Sequence, residues 1–269
     1  MLPFITVFDK FKMPLYGPVF LIGLIIAIAI AIKIAPKYDV SREDMLFTSI
    51  LAAVGMFVGA KILFFITKLP DIIDNFDKLV NQISTDINYV VNYAFGGLVF
   101  YGGLIGAILA AFWYCKRYDV NFLGVIDIYA PLIPLVHAFG RVGCFLAGCC
   151  YGVEYHGFLA VEFPYNEMVP ELNEVPRFPV QLVEAGLNLI LFIVLFTITK
   201  KKKLKPGRAL GIYLIYYTII RYILEMLRGD VIRGGIGIFS TSQIISIILL
   251  PIGIILVRGK WIKNVSQND

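Results

Sequence analysis

The residues of this sequence with chemistry to offer are few, and they stand in apolar surroundings. Thirteen in a row, "GRVGCFLAGCCYG" from Gly140 to Gly152, bring together Arg141, three of the four cysteines (Cys144, Cys149 and Cys150) and four glycines. Farther on, "YTIIRYILEMLR" sets Tyr217, Arg221, Glu225 and Arg228 at steps of four, four and three, which a 3.6-residue period places on one helix face. A guanidinium is always charged and presents a planar fork that grips a phosphate or carboxylate at two points. Arginines on two different helices therefore suit the binding of an anionic phosphate ester. The competing reading, in which Arg221 and Glu225 only neutralise each other, leaves Arg141 unexplained.

The elements that must position these groups are membrane helices. The 269 residues are 59% hydrophobic and 16% charged, with a mean hydropathy of +0.81. Soluble domains run at roughly 45–50% and about 25%. Apolar stretches recur at Tyr16–Ile32, Met45–Thr67, Tyr89–Cys115, Phe122–Phe145, Pro179–Thr199, Ala209–Leu227 and Ile238–Val257, each near the ~20 residues that span a hydrocarbon core as a helix. The expected fold class is all-α, a polytopic helical bundle of about seven spans. Residues 1–269 make one transmembrane domain, with an extracytoplasmic loop at about 151–178.

Orientation follows from the cations. Lys33, Lys37 and Arg42 follow the first stretch, Lys116 and Arg117 the third, Lys200–Lys203 with Lys205 and Arg208 the fifth, and Arg258, Lys260 and Lys263 the last. The alternate connections are acidic, with Asp71, Asp74, Asp77, Glu154, Glu162, Glu167, Glu171 and Glu174. The positive-inside rule then places the N-terminus outside and the C-terminus in the cytoplasm. The net charge of +5 belongs to the cytoplasmic leaflet and argues for no nucleic-acid partner.

An ionisable side chain at membrane depth costs roughly 2.5–3.5 kcal/mol on insertion scales, so it faces a cavity or a partner. Arg141 falls late on the fourth stretch, in the depth zone of Arg221 and Arg228. Below it, Pro131 and Pro134 in "DIYAPLIPLVHAFGR" interrupt the helical ladder, and a broken span is tolerated where it lines a cavity or is buried. A second glycine cluster, "FGGLVFYGGLIG", sets Gly96, Gly97, Gly102 and Gly103 around Tyr101. Each glycine costs about 1 kcal/mol in an isolated helix relative to alanine, so tight packing or a ligand must compensate. Counting helical rise from Val90 puts Tyr101 roughly 16 Å deep.

These strings resemble one family. "FYGGLIGA", "APLIPLVHAFGRVGCF", "RFPVQLVEA" and "YYTIIRYILEMLR", with the early "LYG" at Tyr16 and the "GAK" ending in Lys61, look like the bacterial prolipoprotein diacylglyceryl transferases. The resemblance implies a multi-pass enzyme of the bacterial cytoplasmic (inner) membrane, its active site opening toward the outer leaflet. Such enzymes move the diacylglyceryl group of phosphatidylglycerol to the lipobox cysteine of a prolipoprotein signal peptide, and glycerol phosphate leaves. It implies that Arg141 and Arg221 handle the phospholipid, with Tyr16, Tyr217 and Glu225 in the central cavity and Gly97, Gly102 and Gly103 in its wall. Gly140 and Gly143 would shape the phosphate end, with Cys144 and Cys149 bordering it. The partners implied are phosphatidylglycerol, the lipobox-bearing precursor and the surrounding membrane lipids, with no cofactor and no metal. The chain departs from the family pattern at Tyr101, where many members have histidine, at Cys144, Ala147 and Cys149, where they have "GRxGNFxNxE", and at Phe178, another frequent histidine. It reads as a cysteine-containing subgroup.

The attacking thiol has a free pKa near 8.5, so a base or a positive field must favour its thiolate. Tyr101 and Glu225 both stand as candidates for the base. The cysteines have three readings: small packing residues, a redox pair on the outer face, or a metal site, the last weakened by the absence of CxxC spacing. Packing is the expected role, and His137, one turn from Arg141, is open between core and catalysis. Two other function classes fit the composition: a lipid-binding or lipid-moving membrane protein, and a thiol oxidoreductase built on Cys144, Cys149 and Cys150.

The orientation is testable directly. With the four native cysteines replaced, Asn173→Cys is expected to react with an impermeant thiol reagent in intact cells and Leu204→Cys is expected to stay unlabelled; labelling at position 204 reverses the topology.

Overall fold

Helices dominate because the apolar stretches cannot satisfy their backbone groups in any open form at membrane depth. The computed structural model describes residues 4–7, 11–83, 93, 97–164, 172–201, 204–230, 235–236 and 239–259. Among the described residues nine α-helices are assigned in chain order: α1 (Tyr16–Ile34), α2 (Arg42–Asp74), α3 (Phe76–Ile83), α4 (Phe100–Arg117), α5 (Phe122–Tyr129), α6 (Leu132–Ala147), α7 (Val180–Lys200), α8 (Arg208–Glu225) and α9 (Thr241–Arg258). Two short antiparallel hairpins, Phe4–Val7 with Phe11–Pro14 and Gly235–Ile236 with Phe239–Ser240, precede α1 and α9. Lys202, Lys203, Glu167, Glu171, Gly96, Lys260, Lys263 and the expected span ends at Tyr89 and Ile238 lie outside the described residues.

Each of the seven apolar stretches contains a helix, but the helices differ in how well they suit a membrane. Among the described residues four are long and apolar enough to cross one: Tyr16–Tyr38, Arg42–Asp74, Val180–Lys200 and Thr241–Arg258. The pair α5 and α6, bent by 42°, makes a fifth if it counts as one span. The bend falls where the prolines require it. Pro131 precedes α6, and Pro134 sits in its first turn, where a missing N–H leaves no bond unmade. α8 falls short because Arg208, Arg221 and Glu225 interrupt it, and α4 because it ends in Lys116 and Arg117.

The chain divides into two compact units, residues Ala35–Phe122 and the remainder. In the first, α2 packs along α4. Ser41 opens α2, its hydroxyl accepting from the Asp44 amide at 2.9 Å. The contact is made by glycines at i and i+4 on both helices: Gly55 meets Gly106, and Gly59 meets Gly102, so closely that a methyl on any of them would overlap the opposite carbonyl oxygen. Small residues in this pattern let membrane helices approach and gain dispersion contact. Gly97 lies under the Phe64 ring, and a Cβ on Gly103 would stand 3.1 Å from Met56.

One expectation is corrected here. Residues 97–99 are not helical, and α4 begins at Phe100. Val99 instead donates its amide to the Ala60 carbonyl at 3.2 Å. Tyr101 is therefore in the first turn of α4, 38% exposed, and a depth counted as helical rise from Val90 does not apply.

The second unit holds α1 and α5–α9. α1 packs on α6, α6 on α7, and α8 on α9. Gly23 of α1 receives the Phe139 ring, and Gly143 of α6 sits on the backbone of Tyr16. Between α7 and α8, Leu191, Leu195 and Tyr213 form a buried cluster, and Tyr216 donates its hydroxyl to the Leu187 carbonyl at 2.8 Å. Ser240 and Gln243 cap α9 reciprocally, which satisfies two amides that would otherwise be left open.

The glycine seam makes a stability prediction. Gly59→Leu or Gly102→Leu is expected to destabilise the purified protein by about 1–3 kcal/mol, the usual range for overpacking. Gly140→Ala, whose new methyl would meet only Phe20 at 3.6 Å, is expected to be neutral or stabilising. Thermal unfolding in detergent, followed by helical circular dichroism, checks both.

Candidate active site

The site is built around a carboxylate. Glu184, on the second turn of α7, is 2% exposed. Its Oε2 lies 3.0 Å from Arg141 Nε of α6 and 3.7 Å from Arg221 Nη1 of α8, and its Oε1 lies 3.3 Å from His137 Nε2. Three helices thus converge on one side chain. Arg221 then passes the network on: its Nη2 is 2.8 Å from Glu225 Oε2 and donates to Ser242 Oγ of α9 at 2.9 Å. Arg228 Nη1 lies 3.9 Å from the same Glu225 oxygen, and Arg228 grips Asp230 through Nε at 3.0 Å and Nη2 at 2.5 Å. Burial opposes the Arg228 charge, and the Asp230 pair more than offsets it, so that its pKa rises above the ordinary value.

Three guanidiniums meet three carboxylates here, which lets charges survive at low exposure. The arrangement is not closed. Arg141 touches Glu184 through Nε, by distance and without the alignment of a hydrogen bond. Among the described residues its terminal nitrogens have no hydrogen-bond partner. That leaves the forked end of a half-buried cation able to meet an anionic oxygen.

Aromatic side chains wall this cluster. The Tyr217 ring lies 5.3 Å from that of His137 and 5.8 Å from that of Tyr213. Tyr16, 41% exposed, stacks on Phe20 and lies near Arg141, Cys144, Cys149 and Cys150. Gly140 faces Phe20 with room for a methyl, whereas Gly143, where a Cβ would stand 3.1 Å from the Tyr16 backbone, serves the close approach of α1 to α6.

After α6 the chain turns sharply. Gly148 at φ 70° and Cys150 at φ 58° are both left-handed, a conformation that costs a residue with a Cβ about 1 kcal/mol or more. The turn brings Sγ of Cys144, Cys149 and Cys150 within 4.8 Å of one another. All three are free thiols; Cys144 is buried and Cys149 exposed. Gln181 anchors the turn by donating to the Cys149 carbonyl at 2.9 Å. The following loop lies across the ends of α7 and α8: Val153 donates to Leu227 O, Gly229 to Tyr151 O and Phe178 to Val153 O, each at 3.0 Å. Arg177 stacks over the Tyr151 ring at 4.5 Å, and Tyr151, Phe163 and Leu172 bury one another beneath it.

Of the residues singled out by sequence, the structure brings together Tyr16, Gly140, Arg141, Gly143, Cys144, Cys149, Tyr217, Arg221 and Glu225. Tyr101, Gly97, Gly102 and Gly103 belong to the unit of residues Ala35–Phe122. Sequence reasoning missed Glu184, Ser242 and Asp230. Glu184 carried the same signal as Arg221, an ionisable residue inside an apolar stretch, and only its position in "RFPVQLVEA" was noted. Arg221 and Glu225 do pair, but as two members of a larger network that includes Arg141.

The prolipoprotein diacylglyceryl transferase pattern matches residues 3–258, which covers both units and every residue of this network. The chain belongs to that family. Among its curated relatives, a phosphatidylglycerol–prolipoprotein diacylglyceryl transferase from Clostridium tetani is 31% identical over 93% of this chain and 94% of its own. A second from Clostridium perfringens is 32% identical over 95% of each chain, and one from Rickettsia felis 30% identical over 90% of each. Within this network Glu184 is the residue on which Arg141 and Arg221 both rest.

Its removal is therefore expected to be severe. Glu184→Gln leaves Arg141 and Arg221 without their shared counter-charge and should cost about 3–5 kcal/mol, as breaking a buried pair does. Glu154→Gln, which removes an exposed contact to His156, should leave the unfolding midpoint unchanged. Denaturant unfolding of the two variants in detergent gives the comparison.

Proposed function

We propose that this protein transfers the diacylglyceryl group of phosphatidylglycerol to the lipobox cysteine of prolipoproteins, with a thioether formed and glycerol phosphate released. The observation that carries the reading is Arg141, a guanidinium only 13% exposed whose Nε lies 3.0 Å from Glu184 and whose terminal nitrogens have no hydrogen-bond partner among the described residues. The curated relatives take phosphatidylglycerol and prolipoproteins by name, and this geometry fits the first of those substrates. A phosphate ester leaves a glycerol carbon only if the charge that develops on its oxygen is held. Arg141 is placed to do so, with Arg221 behind it, rigid between Glu184, Glu225 and Ser242.

Glu225 lies 2.8 Å from Arg221 and serves as a positioning residue for that arginine. Tyr16 and Tyr217 border the same charges and are proposed contacts for the lipid. Tyr101, with Gly97, Gly102 and Gly103, is carried as a candidate on its sequence position alone. We place the seven apolar stretches as seven spans in the bacterial cytoplasmic membrane, N-terminus outside, with the arginines near the outer leaflet.

Lysine keeps a point charge but loses the fork. Arg141→Lys and Arg221→Lys are each expected to lower transfer by on the order of 100-fold, the scale of a lost charge-stabilising donor, with membrane insertion unchanged. Purified protein, phosphatidylglycerol and a lipobox peptide, with the peptide mass followed in time, provide the measurement. Near-full transfer by either lysine variant removes that arginine from the phosphate site.

A further inference from the structure

The three cysteines beyond Arg141 have no part in the phosphate chemistry, yet the chain adopts two left-handed residues to gather them. Mutual packing of small side chains does not require a non-glycine residue at φ 58°; one that persists there is held by its surroundings and marks a constraint. Sulfurs within 4.8 Å of one another fit a single ion. Thiolates at ~2.3 Å from a tetrahedral zinc stand about 3.8 Å apart. Among the described residues no fourth histidine, cysteine, aspartate or glutamate joins the group. Three protein ligands with an open fourth position is the pattern of catalytic zinc, where structural zinc is closed by four.

The surroundings suit an anionic thiolate set. Arg141 is one turn before Cys144 on α6, and both Arg141 and Arg228 act on Cys150 as nearby positive charges. Cys149 is exposed, so the cluster opens on one side. The spacing C-x4-C-C hides this, because the chain reversal at Gly148 and Cys150, and not a CxxC turn, closes the group.

We propose that Cys144, Cys149 and Cys150 hold one thiophilic divalent cation, zinc in the ordinary case, and that the thiol of the incoming precursor takes its fourth position. This rests on the transfer reading above and deepens it. A thiol coordinating such a cation is deprotonated outright, which supplies the thiolate that the transfer needs. The thiol proton passes to water. The sulfur lone pair forms the S–C bond to the glycerol carbon, the C–O bond to phosphate breaks, and its electron pair stays on the phosphate oxygen facing Arg141. The product thioether is neutral and a poorer ligand than a thiolate, so the lipidated peptide leaves the cation.

The full-length protein in detergent, kept reduced and stripped of metal, is titrated with Co²⁺ as a spectroscopic stand-in for zinc. One equivalent is expected to give a thiolate-to-cobalt charge-transfer band. The triple Ser variant of Cys144, Cys149 and Cys150 is expected to lack that band, and Cys115→Ser, in the other unit, to keep it. Adding a lipobox peptide should shift the cobalt d–d bands, whereas its Cys→Ser counterpart should not. Stripping should lower transfer by on the order of 100-fold, with Zn²⁺ restoring it. The absence of a band in folded protein overturns the metal site, and d–d bands indifferent to the cysteine peptide overturn the open position. Full transfer by stripped protein and by the triple Ser variant overturns the role of the cation and leaves the transferase standing. Cobalt binding and peptide response without any transfer, whatever the metal, would instead defeat the transferase reading on which the proposal rests.

Discussion

One buried carboxylate organises the functional half of this protein. Glu184 stands between Arg141 of α6 and Arg221 of α8, and without it two guanidiniums would face each other at low exposure. Isolated charges in that setting cost several kcal/mol each. The interaction therefore fixes more than a side chain: it fixes the registers of α6 and α8 against α7. Ser242 and Glu225 extend the constraint to α9 and to the end of α8.

The network also explains why the Arg141 fork is available for the phosphate contact proposed for it. Were Arg141 paired bidentately, its terminal nitrogens would be spent within the protein. Contact through Nε orients the guanidinium, and among the described residues its other donors have no hydrogen-bond partner. Arg221 plays the complementary part, held at Nη2 by Glu225 and Ser242 and thus rigid. A pair with one arm free and one arm held is preorganised for an anion that arrives with its own charge, and preorganisation is what a transition state rewards.

Glycine does two different jobs in the two units. Along α2 and α4, Gly55, Gly59, Gly102 and Gly106 allow backbone to meet backbone, which offsets their cost in helix propensity. In α6, Gly143 admits the backbone of Tyr16 beside Arg141, so a packing glycine positions an aromatic of the cavity. Gly148 is of another kind, since its φ of 70° ends α6 and starts the reversal that gathers the cysteines.

The sequence by itself determined the class of the protein. Apolar stretches of near-spanning length, the proline break before α6, the shared face of Tyr217, Arg221 and Glu225, and the family strings are all local or periodic signals, and the helices stand where those signals put them. Arg141 and Arg221 were legible because a charge inside an apolar stretch needs a reason. What only the tertiary structure decided is which groups meet. That Glu184 is the hub, that Ser242 reaches Arg221, and that three cysteines without metal-ligand spacing converge on one point depend on helix pairing and on two backbone angles, and no local pattern encodes them. The start of α4 is the same lesson in reverse: glycines and apolar residues from Tyr89 onward read as one span, but residues 97–99 are not helical and the Val99 amide goes to Ala60 of α2, a tertiary bond that helical periodicity does not anticipate.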